Sequence, residues 1–132
     1  AFDSIDFFFS ENDPDSFDLI LTGDLGRVGS SILRELLSEK NKTSGLKLAT
    51  LHNDCGLILY DLSKQDVHAG GSGCGCCATT FCSKIMNDLE NGIFSNILFV
   101  PTGALLSATT AEQKKTIPSI AHLIDLVSPM CS

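Results

Sequence analysis

A chain of 132 residues is long enough for one domain and too short for two. Its hydrophobic fraction of 43% supports a real core. The net charge is −7 and the basic residues are scattered, with Lys114-Lys115 the one adjacent pair, which excludes nucleic acid as a partner.

Charged residues make up only 19% of the chain, low for a free-standing small domain, so another segment or subunit is expected to cover part of the surface. No apolar run approaches the roughly 18–20 residues that a membrane helix needs. The N-terminus lacks a basic region, a cleavage site and an initiator Met, and it opens inside an amphipathic pattern, which reads as a cut end.

Phe2, Ile5 and Phe9 recur at helical spacing, with Phe8 beside them, and predict a helix that ends before Asn12-Asp13-Pro14. Phe17 to Leu21 reads as a buried strand, and Gly23 to Gly29 as a turn. Val28, Ile32 and Leu36 then mark a helix face that Leu33 and Leu37 widen. Lys40 to Gly45 is loop-like, Leu46 to Leu51 reads as a short strand, and Gly56 to Tyr60 as a second apolar strand. A second glycine-rich turn spans Gly70 to Gly75. Phe81, Ile85 and Leu89, with Cys82 and Met86, form the next helix face, closed by Asn91-Gly92. Ser95 to Val100 is a strand broken by Pro101, Thr102 to Ile117 a loop, Ser119 to Leu126 a last strand, and Ser128 onward a tail. Strands alternating with helices predict an α/β chain: a mostly parallel central sheet with helices packed on it and an antiparallel final strand pair.

The six cysteines do not read as a disulfide framework, because Cys74, Cys76 and Cys77 crowd into one turn. They are expected to be reduced, with Cys55 and Cys82 acting as small apolar residues.

The two glycine-rich turns are the candidate functional surface, and they read as half of a binding site. Leu19 to Leu33, LILTGDLGRVGSSIL, is similar to the phosphate turn of short-chain dehydrogenases, where glycines let a pyrophosphate approach a helix N-terminus. Tyr60 and Lys64 have the spacing of that family's catalytic pair. Against this, Asp24 puts a carboxylate inside the turn, and Tyr60 and Lys64 do not fall on a helix. The second turn, VHAGGSGCGCCATT from Val67, holds a C-x-x-C pair at Cys74 and Cys77 with His68 nearby, but a zinc or iron–sulfur site needs about four convergent ligands and a second pair is absent. A redox dithiol and a catalytic Cys at the helix start also remain open, although no base is marked for the latter. The plainer reading is that small residues here allow close backbone packing.

Read together, LILTGDLGRVG (19–29), NDCGLILYD (53–61), QDVHAGGSGCGCCA (65–78), ILFVPTGALLS (97–107) and IPSIAHLIDL (117–126) resemble the stage V sporulation protein AD family, thiolase-like proteins of spore-forming bacteria. The resemblance implies that residues 1–127 are the C-terminal half of a thiolase-like fold, with the N-terminal half absent and 128–132 a tail. Thiolases and ketoacyl synthases place a His at the end of the first strand of this half, and a His or Asn in the second turn. By the resemblance these positions fall at Gly23 and Ser72, and the closing loop falls at Pro101-Thr102-Gly103-Ala104. Neither Gly23 nor Ser72 can act as a base at neutral pH or polarise a thioester, so no catalytic residue and no cofactor is expected.

The family resemblance implies binding of dipicolinic acid, with calcium, and its uptake into the forespore. The expected ligand-binding residues are Gly23, Asp24, Ser72, Gly73, Thr102 and Gly103, with turn N–H groups and the Ser72 and Thr102 hydroxyls as donors. Asp24 is repelled by the bare dianion but suits calcium, a hard cation that prefers oxygen. His68 reads equally as a structural hydrogen-bonder, and His52 and His122 carry no assigned role. The implied partners are the N-terminal half, other proteins of the spore membrane complex and a second copy in a homo-oligomer. The implied location is the forespore or spore, peripheral to the inner membrane. A residual acyl-transfer enzyme and a scaffold with a vestigial pocket are the alternatives.

Overall fold

Residues 19–22 and 97–100 form two strands buried on both faces of the sheet. The computed structural model describes residues 1–40, 44–104, 107–114, 116, 117 and 119–131. In chain order the elements are α1 (Phe2–Phe9), β1 (Leu19–Thr22), α2 (Gly26–Lys40), α3 (Ser44–Leu51), β2 (His52–Asp54), α4 (Cys55–Ile58), α5 (Cys76–Thr80), α6 (Met86–Glu90), β3 (Asn96–Val100), β4 (Thr102–Ala104), α7 (Ala108–Glu112), β5 (Ser119–Ala121) and β6 (Ile124–Val127). A π-helical turn, Phe81–Ile85, joins α5 to α6, and 3₁₀ turns lie at Pro14–Ser16 and Pro129–Cys131.

The main sheet has the order β2-β1-β3-β6. β1 pairs parallel with β2 and β3, and β3 pairs antiparallel with β6. The chain is thus α/β, with a mainly parallel sheet and an antiparallel final pair, as the element pattern predicts. Ile20, Leu98 and Val100 pack with Leu33, Leu37, Leu48, Ile5 and Phe17 in one cluster. Leu19, Leu21, Ile97 and Phe99 pack with Cys55, Ile85 and Leu89 in the other. Alternate residues of β1 and β3 therefore feed opposite clusters, so these strands read as continuous apolar runs.

Several elements differ from expectation. Leu46 to Leu51 is helical, belonging to α3, and the second strand begins only at His52. Leu, Lys and Ala are good helix formers, and the helix brings Leu48 onto the core. The run from Gly56 is also not a strand. It lies in α4, whose N-cap Asp54 accepts a bond from Gly56 N, ending the extended conformation at once. On α2 the core face is Ser30, Leu33 and Leu37, whereas Val28, Ile32 and Leu36 are exposed. Cys55 is buried as expected, but Cys82 is exposed.

The last predicted strand divides in two. Ser119–Ala121 pairs with Thr102–Ala104 in a separate two-stranded sheet, and Ile124–Val127 returns to the main sheet. The segment from Thr102 to Ile117 accordingly carries β4 and α7 and is not a plain loop. The expected loop at Lys40 to Gly45 includes 41–43, which lie outside the described residues, as does position 115 of the lysine pair. Ser128 is buried, with its N–H donating to Ser95 O (2.8 Å) and its hydroxyl to Leu89 O (2.7 Å).

Candidate functional site

In open α/β sheets the crevice outside the carboxyl ends of the strands is where ligands bind. Here β1 delivers Gly23 and Asp24 to that edge, and β3 delivers Thr102 and Gly103 across Pro101. The second glycine turn returns to the same edge after α4, with Gly71 N–H donating to Gly56 O at 2.7 Å.

Asp24 ties these segments together. Its N–H donates to Thr102 Oγ1 (3.1 Å), the Thr102 hydroxyl donates to Asp24 Oδ1 (3.2 Å), and Gly73 N–H donates to Asp24 Oδ2 (3.3 Å). Gly73 has φ +102, a conformation that glycine adopts without strain. Gly23 is buried behind Thr102: a Cβ added there would lie 2.8 Å from both Thr102 N and Thr102 Oγ1. The threonine hydroxyl thus fills the space that any side chain at position 23 would need.

Asp24, Ser72, Thr102 and Gly103 line one concavity of about 630 Å³. Its volume falls in the range of small-molecule sites. Asp3 and Ser4 of α1 and Ser119 of β5 complete the polar part of its wall. Of the six residues expected from the sequence, four therefore line the cavity, and Gly23 and Gly73 contact or bond to those that do. Sequence reasoning missed Asp3, Ser4 and Ser119, because nothing local marks a helix start or a short strand as part of a distant wall. His68 is exposed, has φ 51 and pairs with Asp66, so it does not join this wall. His122 is exposed between β5 and β6.

A buried polar network lies beneath the first turn. Parallel pairing sets Thr22 beside Asp54, and Ile20 beside His52. Arg34 Nε, always a donor, gives a bond to His52 Nδ1 (3.3 Å), and Arg34 Nη2 donates to His52 O (2.7 Å). Nδ1 is thus the bare nitrogen, and Nε2–H donates to Thr22 Oγ1 at 2.9 Å. The threonine gives its own hydrogen to Asp54 Oδ2 at 2.6 Å, a shorter and charge-assisted contact than the 3.2 Å to Asn53 O. Burial, and then the charge of Arg34, push the His52 pKa down to about 4, so its imidazole is neutral at pH 7. His52 carries no assigned role in the sequence reading, yet it is 2% exposed at the centre of this network.

Asp54 also accepts from Leu25 N (3.0 Å), Gly26 N (2.9 Å) and Gly56 N (3.1 Å). Arg27 N–H donates to Ala69 O at 2.7 Å. From Asp24 to Arg27 every backbone N–H therefore has a partner inside the chain. A pyrophosphate needs these same groups at the start of α2, so the turn's likeness to a dinucleotide site does not extend to its chemistry.

The thiols point the same way. Cys55, Cys74, Cys76, Cys77 and Cys82 are free. Burial, above all, raises the pKa values of Cys55, Cys76 and Cys77, and the carboxylates of Asp24 and Asp54 add to the effect on Cys76 and Cys77. A nucleophile or metal ligand needs the thiolate, which the surroundings of Cys55, Cys76 and Cys77 disfavour. Among the described residues no group of three or more His, Cys, Asp or Glu could hold a metal ion, and no described helix is long and apolar enough to cross a membrane.

The family model for Stage V sporulation protein AD matches residues 1–127. The chain is similar to a protein of Bacillus subtilis (strain 168) named Stage V sporulation protein AD, at 49% identity over 108 residues. That alignment covers 82% of this chain and 30% of the relative, so the matched part spans less than a third of the length of the curated relative. With this identity and a family match over nearly its whole length, the chain belongs to the stage V sporulation protein AD family.

Proposed function

We propose that this chain forms one wall of a non-catalytic site for dipicolinic acid, bound as its calcium chelate, in a protein that serves dipicolinate uptake into the forespore. The observation that carries the reading is the convergence of Asp24, Ser72, Thr102 and Gly103, distant in sequence, on a single concavity of about 630 Å³. The Ser72 hydroxyl suits a carboxylate oxygen, while Thr102 spends its hydrogen on Asp24, and Asp24 with Asp3 makes the wall negative. A bare dianion is repelled by that wall, whereas a calcium chelate presents a hard cation to it. With two carboxylates against it, the chelate is the favoured form of the ligand.

The absence of chemistry rests on residue types. The described lining holds no His, Cys or Lys, and Thr102 occupies the space that a side chain at position 23 would need. Thiolase-like architecture, with a second half that closes the site, is part of the same reading, as are a peripheral place at the spore inner membrane, partners in the spore membrane complex and assembly as a homo-oligomer. A site between two halves needs both walls, so this chain alone binds more weakly than the intact protein.

Calorimetry on the intact protein tests the proposal, with calcium dipicolinate and calcium-free dipicolinate compared. Saturable heat with the chelate, and much less with the free dianion, is expected. No heat with the chelate at high concentration, or turnover of an acyl-CoA thioester, overturns it.

A further inference from the structure

The first turn is wrapped around an anion that the chain itself supplies. Asp54 is fully buried and accepts four hydrogen bonds: Thr22 Oγ1 and Leu25 N on Oδ2, Gly26 N and Gly56 N on Oδ1. An ionised carboxylate offers about four acceptor positions, so this one is saturated. Gly26 opens α2, and a helix leaves its first N–H groups without internal partners. In a phosphate-binding turn those groups meet the ligand. Here an internal carboxylate has that place.

The grip has a consequence for the pocket. Asp24 lies between Thr22 and Leu25, and Asp54 holds both. The Thr22 hydroxyl is aimed in turn by His52, and His52 by Arg34. Asp24 is therefore fixed from behind by Asp54 and met from the front by Thr102 and Gly73.

We infer that Asp54 is the positioning residue of the pocket: it sets Asp24 toward the ligand and, by filling the start of α2, closes the first turn to exogenous anions. The part concerning the ligand rests on the proposed function; the construction of the turn does not. In the intact wild-type protein, the Leu25 and Gly26 amides exchange slowly with solvent, although they stand at a helix start. Asp54→Asn keeps the shape but turns an amide NH2 toward N–H donors. It raises exchange at Leu25 and Gly26 by about tenfold to a hundredfold, while Ile97 to Val100 stay protected. It also weakens calcium dipicolinate binding by about tenfold.

Asp54→Gly removes the side chain, and acetate at constant ionic strength restores protection at Leu25 and Gly26, whereas chloride does not. Slow exchange at Leu25 and Gly26 in the wild type reads the inference even where neither variant folds. Fast exchange at Leu25 and Gly26 in the wild type, unchanged exchange in Asp54→Asn, or equal effects of acetate and chloride overturn the inference. Altered exchange with unchanged affinity overturns the positioning of Asp24. A wild-type protein that ignores calcium dipicolinate overturns the ligand reading alone, and the exchange and acetate arms still judge the turn.

Discussion

Lowering the pH should undo the network under the first turn, and the size of the effect follows from His52. Its pKa in the fold is about 4, against 6.5 for an unstructured histidine. Between those values the unfolded chain binds a proton that the folded chain refuses. The stability that neutral His52 contributes is therefore complete above about pH 6.5 and is lost as pH falls toward about 4. At about 1.4 kcal/mol per pH unit, the difference comes to roughly 3 kcal/mol. His52 is 2% exposed, so solvent screens this cost little. Protonation also puts a hydrogen on Nδ1, which faces the Arg34 guanidinium, so the cost is local and specific. Urea unfolding from about pH 7.5 to about pH 4, for wild type and His52→Gln, isolates the contribution of the histidine: the difference between the two curves should change by roughly 3 kcal/mol over that window. A difference that stays flat with pH would refute the tautomer and the burial assigned to His52.

Other expectations bear on the pocket and its support. Gly23→Ala drives a methyl against the Thr102 backbone, so it should cost about 1–3 kcal/mol and abolish ligand heat; an unaltered urea midpoint would contradict the close approach. Thr22→Val leaves a buried His52 N–H unpaired and the Asp54 carboxylate one donor short, for about 2–4 kcal/mol, whereas Thr22→Ser keeps most of the stability; equal midpoints for the two variants would contradict the hydroxyl's role. Asp24→Ala and Ser72→Ala should each weaken calcium dipicolinate binding by about tenfold while the far-UV spectrum and cooperative unfolding persist. Unchanged affinity in both would remove this concavity from consideration.

Much of the architecture is legible in the residue order. Leu19 to Leu21 and Ile97 to Val100 are apolar without alternation because each strand is buried on two faces, and that alone points to a covered, mainly parallel sheet. The two glycine turns are visible as turns for the same local reason. Periodicity does not say which side of α2 meets the core: Val28, Ile32 and Leu36 satisfy the helical spacing as well as Leu33 and Leu37 do, and packing against the sheet and α3 selects the latter. Leu46 to Leu51 and the run from Gly56 are short apolar stretches, for which a helix and a strand look alike until the register of His52 to Asp54 with β1 is known.

The site divides in a similar way. The two turns are recognisable from their glycines, a local property, and Gly23, Asp24, Ser72, Gly73, Thr102 and Gly103 are singled out within and beyond them by the family resemblance of their motifs. Their convergence on one cavity is not, since it depends on β1 and β3 lying side by side while α4 carries the second turn back to the same edge. Least visible of all is Asp54. In the sequence it is one acidic residue of NDCGLILYD, ahead of a run that reads as a strand. Its bonds to Thr22, Leu25 and Gly26 exist only because parallel pairing sets β2 against β1, so the residue that holds the first turn could be found in the fold and nowhere earlier.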